Sequence, residues 1–182
     1  QMKAVIDRSQ ALWSRKYVLG LSDPGRKWRK GILLALGATR GKNLFEGTIL
    51  TAKYFFDAVG ATYEGHLGYR QIEHMKDLEK HPAALNEARG MAASQITPLM
   101  NREKILFVCR GNTVRSQMAA PFAHLNAGDR VESLSAGTAP AADVHPDMVT
   151  VMAEKGVDMA FRKPVAISDI PITGKPDRFV SM

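Results

Sequence analysis

The stretch Val108-Cys109-Arg110-Gly111-Asn112-Thr113-Val114-Arg115-Ser116 follows an apolar run at residues 105–108 and leads into residues 116–126, whose pattern reads as a helix. A strand, a short turn holding Gly-Asn, and a helix starting at Ser116 make one step of an alternating α/β architecture. Such a turn points several backbone amides inward. With the positive end of the helix dipole these amides form an anion site, and Arg115 adds a two-pronged contact to phosphate oxygens. The same field favours thiolate: a cysteine at a helix N-terminus beside an arginine titrates below the ordinary value of about 8.5, giving a nucleophile aimed at the bound oxyanion. Cys109 is the single cysteine of the chain, so it forms no internal disulfide. It is either reactive or an inert packed residue, and the setting between strand and helix favours the first.

Alternation continues on both sides of this stretch. Downstream, residues 131–134 read as a strand and residues 146–155 as a helix capped by Gly156; the chain then runs through a proline-punctuated segment to Arg178-Phe179-Val180-Ser181-Met182, which has the composition of a strand. Upstream, Met2, Val5, Ile6, Leu12 and Trp13 share one helical face, residues 20–30 read as a loop around Asp23-Pro24-Gly25, and residues 32–36 form a continuous apolar run suited to a buried parallel strand. Ile49, Ala52, Phe56 and Val59 mark a helix closed by Gly60, residues 61–69 suit a strand, and a third helix is expected after Pro82. The expectation is an α/β class with mainly parallel sheet and a domain boundary at residues 100–103, giving one domain over 1–100 and another over 104–182.

The 182 residues, 45% of them hydrophobic, suffice for one good core or two small ones. No apolar run is long enough to cross a bilayer and no stretch has the layout of a signal peptide, so a cytoplasmic location is expected. The net charge of +7 is uneven: sixteen basic against ten acidic side chains in residues 1–103, nine against eight in residues 104–182. The excess cation could attract phosphate, but no aromatic-interleaved motif accompanies it, so neither nucleic acid nor membrane is expected as a partner. His66, His74, His81, His124 and His145 lack metal-ligand spacing and are read as surface or packing residues; no metal is expected. The turn Gly37-Ala38-Thr39-Arg40-Gly41-Lys42-Asn43 is one residue short of a nucleotide-binding Walker loop, and Asn43 stands where that loop needs a hydroxyl. A glycine turn after a buried strand can instead bring backbone close to a flat ring.

The cysteine loop resembles that of the low-molecular-weight tyrosine phosphatases and their arsenate reductase relatives. The match extends to Gly111, Asn112, Ser116, Met118 and Ala119, and further on to Ser135-Ala136-Gly137-Thr138. By that resemblance Cys109 is the nucleophile, Arg115 the oxyanion clamp, Asn112 a stabiliser of loop shape and Ser116 a hydrogen-bond donor to the thiolate, while Arg110, Gly111, Thr113 and Val114 complete the substrate loop. The substrate implied is phosphate or arsenate, or a phosphotyrosine protein. Val114 stands where many members carry a second cysteine, and Gln117 occurs in the arsenate reductase branch. The resemblance also implies that the general-acid aspartate and the resolving cysteines lie beyond Met182; Asp169 and Asp177 are nearby carboxylates outside the expected loop.

Residues 1 to about 96 resemble the C-terminal part of flavodoxin-like NAD(P)H-dependent FMN reductases, in the branch containing iron-sulfur flavoproteins. The carriers are Lys3-Ala4-Val5-Ile6-Asp7-Arg8, the turn at residues 37–41, and Lys53-Tyr54-Phe55-Phe56. That resemblance implies FMN as cofactor of the parent protein, NAD(P)H as a possible electron donor, and Thr39, Arg40 and Gly41 as flavin contacts; with the phosphate-binding loop expected to precede Gln1, FMN binding by these residues alone is expected to be weak or absent. Trp13 and the aromatics at 54–56 could flank a flavin, although aromatics at helical spacing more often form core. The chain is therefore expected to hold two incomplete three-layer parallel-sheet domains, flavodoxin-like and then phosphatase-like. The leading function is a cysteine-dependent phosphatase or arsenate reductase fused to an FMN reductase; the alternatives are a flavin oxidoreductase or a catalytically incomplete binding fragment.

Overall fold

A computed structural model describes residues 2–170 and 175–182, so Pro171 of the proline-punctuated segment lies outside the described residues. The chain is α/β, and all strand pairing is parallel. Its elements are α1 (Met2–Tyr17), β1 (Lys30–Gly37), α2 (Glu46–Ala58), β2 (Thr62–Arg70), α3 (Ala84–Gln95), α4 (Thr97–Met100), β3 (Glu103–Cys109), α5 (Arg115–Ala127), β4 (Val131–Gly137), α6 (Pro146–Glu154) and β5 (Arg178–Ser181). No described helix is long and apolar enough to cross a membrane.

Two compact units divide the chain. The first holds Gln1–Trp13 and Arg29–Met100; the second holds Ser14–Trp28 and Asn101–Met182. The junction after Met100 falls at the edge of the boundary expected from the sequence, but residues 14–28, read there as part of the first half, pack with the second unit. The division falls within α1.

In the first unit β1 and β2 run parallel from Lys30 opposite Thr62 to Gly37 opposite Arg70, with one irregularity between Gly31 and Ile32. Helix α2 makes the crossover. It approaches closely because Gly31 has no side chain: a Cβ there would lie 2.6 Å from the Phe56 ring. The helix ends at Gly60, whose φ of 70° suits glycine. Tyr69 is buried, and its hydroxyl donates to Glu87 Oε2 at 2.7 Å, fastening β2 to α3. One expectation fails here. The run at 32–36 is not a buried strand throughout, since Leu34 is 69% and Leu36 55% exposed. Parallel strands read as buried because helices usually cover both faces; in this two-stranded sheet the face carrying Leu34 and Leu36 is largely open.

The second unit has a three-stranded sheet in the order β4-β3-β5, which puts β3 at the centre. Leu106 on β3 is 1% exposed, and Ala120 of α5 and Ala136 of β4 are equally enclosed. A second cluster, Met148, Met152, Val157 and Met159, gathers Val114, Met118, Val144 and Val149 against it. Helix α6 starts at Pro146, where the missing N–H costs nothing, and the His145 ring nitrogen accepts from the Asp147 amide at 3.3 Å. Gly156, with φ of 70°, closes it.

Residues 14–28 are tied to this unit by polar and apolar contacts together. The Ser22 amide donates to Gly156 O and the Asp158 amide to Ser22 O, both at 2.9 Å. Trp28 Nε1 donates to His124 O at 3.2 Å, and the indole lies where a Cβ on Gly128 would be. Arg15 forks onto Asp158, with Nε to Oδ2 at 2.6 Å and Nη2 to Oδ1 at 2.8 Å. The hydrogen bond from Arg15 holds the Asp158 carboxyl below the usual carboxylate range; burial opposes this, and the Ala160 amide assists. Asp158→Ala is expected to cost about 2 kcal/mol at neutral pH, the scale of a charge-assisted hydrogen bond lost from a partly enclosed site. A carboxyl depressed by folding stabilises above its unfolded pKa of about 4, and that stabilisation is lost as pH falls through the folded value. Urea melts at pH 7 and pH 3 should therefore show the wild-type advantage shrinking at the lower pH.

Candidate active site

Cys109 is the last residue of β3, and its place at the carboxyl end of the central strand brings the sulfur to the first turn of α5. Parallel α/β sheets gather ligands at this edge because strand ends and helix N-termini converge there. The N-cap residue of α5 is Val114, which has no polar side chain and makes no cap hydrogen bond. The amides of the first turn are thus left to other acceptors.

The turn is shaped by its neighbours. Asn112 sits at φ of 51°, the left-handed region that asparagine tolerates better than most residues. Four loop carbonyls are bound from outside by the segment after β4: Thr138 N donates to Cys109 O at 3.1 Å, Ala139 N to Arg110 O at 2.9 Å, Ala141 N to Gly111 O at 3.0 Å and His145 N to Thr113 O at 3.1 Å. Gly137 permits that approach. A Cβ there would stand 2.7 Å from Arg110 O and 3.0 Å from Asn112 Cβ. Glycine is required at this position by close passage of the loop.

The Asn112 amide donates to Cys109 Sγ at 3.2 Å, and Ser116 Oγ lies 3.0 Å from the same sulfur. Burial pushes the Cys109 thiol up, but the Ser116 hydroxyl, the Ser116 and Asn112 amides and the Arg115 charge together outweigh it, so the thiol titrates below its ordinary range. Each of these groups stabilises the thiolate rather than the thiol. The folded state gains from this fully above the unfolded pKa of about 8.5, and the gain fades as pH falls through the lowered folded value.

The structure therefore brings Cys109, Asn112 and Ser116 into direct contact, with Arg115 at the head of α5, exposed and close enough for its charge to reach the sulfur. Arg110 is exposed and Gly111 and Thr113 are half-buried; the Val114 side chain packs against the methionine cluster, so it contributes backbone to the loop. Asp177 is remote. Its carboxylate accepts from the Lys104 amide at 2.7 Å, at the start of β3, and the five residue steps to Cys109 span about 16 Å of strand. Asp169 ends a short 3-10 turn and accepts from Ser168 Oγ at 2.8 Å. Sequence reading did not assign a role to Gln117, which is 1% exposed and donates to Asn112 Oδ1 and to Lys163 O, both at 3.0 Å. Its polar side chain inside a helix face was the available signal.

In the first unit, Thr39, Arg40 and Gly41 are exposed in the turn after β1. With the Gln71 amide turned so that its oxygen faces the guanidinium, Arg40 Nε and Nη2 donate to that oxygen at 2.9 and 3.0 Å. Arg40 also borders a cavity of about 460 Å³ with Gly68, Tyr69, Arg70, Gln71 and His81, whereas Thr39 and Gly41 do not line it. Among the described residues no group of three metal-ligating side chains converges.

Residues 104–180 match the family model of the low molecular weight phosphotyrosine protein phosphatases. The chain is 43% identical over 70 residues to a putative arsenate reductase of Halobacterium salinarum, covering 36% of this chain and 49% of that protein. It is 39% identical over 61 residues to arsenate reductase 1 of Staphylococcus epidermidis, covering 34% and 46% respectively. It is 36% identical over 58 residues to the glutaredoxin arsenate reductase of a Synechocystis species, covering 32% and 44%. The chain thus spans about half the length of these relatives. A solved thioredoxin-dependent arsenate reductase of Corynebacterium glutamicum superposes with a TM-score of 0.35 at 23% identity over 62% of this chain and 64% of that one, too slight a likeness to carry an argument. The family model begins at Lys104, so the flavin resemblance of residues 1–96 gains nothing from it. Residues 104–180 are thus similar to the low molecular weight phosphotyrosine protein phosphatases, and the curated relatives that this chain matches are arsenate reductases.

Proposed function

We propose that this domain carries out cysteine-dependent chemistry on a tetrahedral oxyanion, arsenate or a phosphate ester, with Cys109 as nucleophile. The observation that carries the reading is the Cys109 sulfur held by the Asn112 amide and the Ser116 hydroxyl at the N-terminus of a thirteen-residue helix. With a phosphate ester, the thiolate forms an S–P bond as the ester O–P bond breaks and the alcohol oxygen leaves; water then cleaves the S–P bond. With arsenate, an S–As bond forms and one arsenate oxygen leaves as water. A second thiolate then attacks the Cys109 sulfur, the S–As electron pair passes to arsenic, and arsenite departs as a disulfide forms. The chain has one cysteine, so that second thiol comes from outside these 182 residues. Gln117, found in the arsenate reductase branch, favours arsenate. Arg115 and the helix dipole stabilise the added negative charge in either case.

Alkylation of Cys109 by iodoacetamide tests this directly. Arsenate or phosphate in the loop should slow it, by about tenfold when the anion is present at ten times its dissociation constant. An alkylation rate unchanged by millimolar arsenate and phosphate would remove the reading.

A second reading concerns the first unit. The turn at residues 39–41 lies at the carboxyl end of a parallel strand pair, where α/β sheets receive ligands, and Arg40 borders a cavity there. An FMN site fed by NAD(P)H would fit that position and would supply electrons to arsenate reduction. Titration of the chain with FMN, followed by quenching of flavin fluorescence, should then show weak but saturable binding; a dissociation constant above about 1 mM, weaker than 4 kcal/mol, would dismiss the site on these residues.

A further inference from the structure

The hydrogen bonds behind Cys109 run outward through a side chain that never meets the sulfur. Gln117 lies in the first turn of α5 and is almost wholly enclosed. Its Nε2 uses both protons, one on Asn112 Oδ1 and one on Lys163 O, each at 3.0 Å. Its Oε1 is buried and has no partner among the described residues. Turning the amide over would put an oxygen against two acceptors, so this orientation is fixed by its surroundings even at the expense of an unsatisfied atom.

The consequence passes to Asn112. Its Oδ1 accepts from Gln117 Nε2 and also from the Val165 amide at 2.9 Å, which leaves Nδ2 facing Ser116 Oγ at 2.8 Å. Ser116 Oγ therefore accepts from Asn112 and keeps its own proton to give away. Two acceptors compete for it: Cys109 Sγ at 3.0 Å and Ala136 O at 3.5 Å, the latter at the limit of a hydrogen bond. The proton belongs to the sulfur. Were the Asn112 amide reversed, its oxygen would face Ser116, take that proton, and leave the thiolate without it.

We propose that Gln117 is a positioning residue that sets the direction of this hydrogen-bond chain, holding the Asn112 amide so that the Ser116 hydroxyl donates to Cys109. It acts twice: directly on Asn112 Oδ1, and through Lys163 O on the segment whose Val165 amide is the other donor. The proposal rests on Cys109 being the nucleophile, as read above. It assigns Gln117 a task distinct from packing, since a side chain needed only for volume would not bury an unpartnered oxygen.

The test is the pH profile of Cys109 alkylation by iodoacetamide in the wild-type chain, in Gln117→Met, which fills similar volume without donors, and in Gln117→Glu. Folding is checked by circular dichroism. Both variants should move the midpoint up, and below both midpoints the alkylation rate should fall about threefold to tenfold, the scale of one hydrogen bond to the thiolate. A loss of thermal stability alone does not shift that midpoint. A rise in Gln117→Glu alone would reflect its added carboxylate, so an unchanged midpoint in Gln117→Met overturns the proposal while leaving Cys109 as nucleophile. A wild-type midpoint at the ordinary value near 8.5 overturns both readings. Should neither variant fold, exchange of the Gln117 side-chain amide protons in the wild-type chain decides: slow exchange supports two donated bonds, and exchange as fast as that of an exposed glutamine overturns them.

Discussion

Cys109→Ser should abolish turnover of p-nitrophenyl phosphate and arsenate while leaving oxyanion binding intact or tighter. The oxygen of serine can occupy the sulfur's place between the Asn112 amide and the Ser116 hydroxyl, so the loop keeps its shape. What it lacks is an accessible anion: no general base contacts residue 109 among the hydrogen bonds described, and the field that suffices for a thiol leaves an alcohol protonated. Losing an activated nucleophile costs on the order of 10⁴ to 10⁶ in rate. Binding moves the other way, because a neutral hydroxyl removes the repulsion between a thiolate and an incoming dianion. Phosphate affinity by calorimetry and turnover by nitrophenolate release separate the two effects. Weakened binding together with lost turnover would mean that Cys109 shapes the loop rather than reacting.

Across a series of aryl phosphates, rates should fall steeply as the leaving group becomes more basic. The loop amides and Arg115 can stabilise charge on the transferring group, yet a departing alkoxide needs a proton, and Asp177, at the far end of β3, is too distant from Cys109 to give one. Asp177 is engaged by the Lys104 amide there, and Asp169 by Ser168. Without a general acid, poor leaving groups lose about 10² to 10⁴ in rate while nitrophenolate, which leaves unprotonated, loses little. Rates independent of leaving-group pKa would instead require a donor within the chain, and Asp169→Asn would be the first variant to examine.

The cysteine site was legible because its chemistry is local. Cys109, Asn112, Arg115 and Ser116 lie within eight residues, so strand, turn and helix imposed by the apolar pattern suffice to gather them. The partners that finish the site were not legible in the same way. Lys163 and Val165 meet Gln117 and Asn112 through backbone atoms, and backbone carries no sequence signature. Gly137 was quoted within Ser-Ala-Gly-Thr, but its reason, passage of the loop carbonyl at residue 110, is a distance between distant segments. In the first unit the run at 32–36 gave the strand correctly and its burial incorrectly, since periodicity reports what a strand can face and not what covers it.

The path of the chain between the two units bears on how the protein can be divided. Units made of residues 1–13 with 29–100 and 14–28 with 101–182 are joined at three points, after Trp13, Trp28 and Met100. A nick after Met100 leaves residues 1–100 and 101–182 as two separate chains, held together only by the non-covalent contacts of residues 14–28 with the rest of the second unit, so limited proteolysis there would cut the backbone without at once releasing a free phosphatase-like module. Equally, an expression clone opening at Asn101 would discard Arg15, Ser22 and Trp28. It would leave the Asp158 carboxylate without its guanidinium, the Ser22 side of the Gly156 edge bare and an indole-shaped gap beside Gly128. The match to the family model begins at Lys104, but the compact unit that contains it takes in residues from ninety positions earlier, at Ser14.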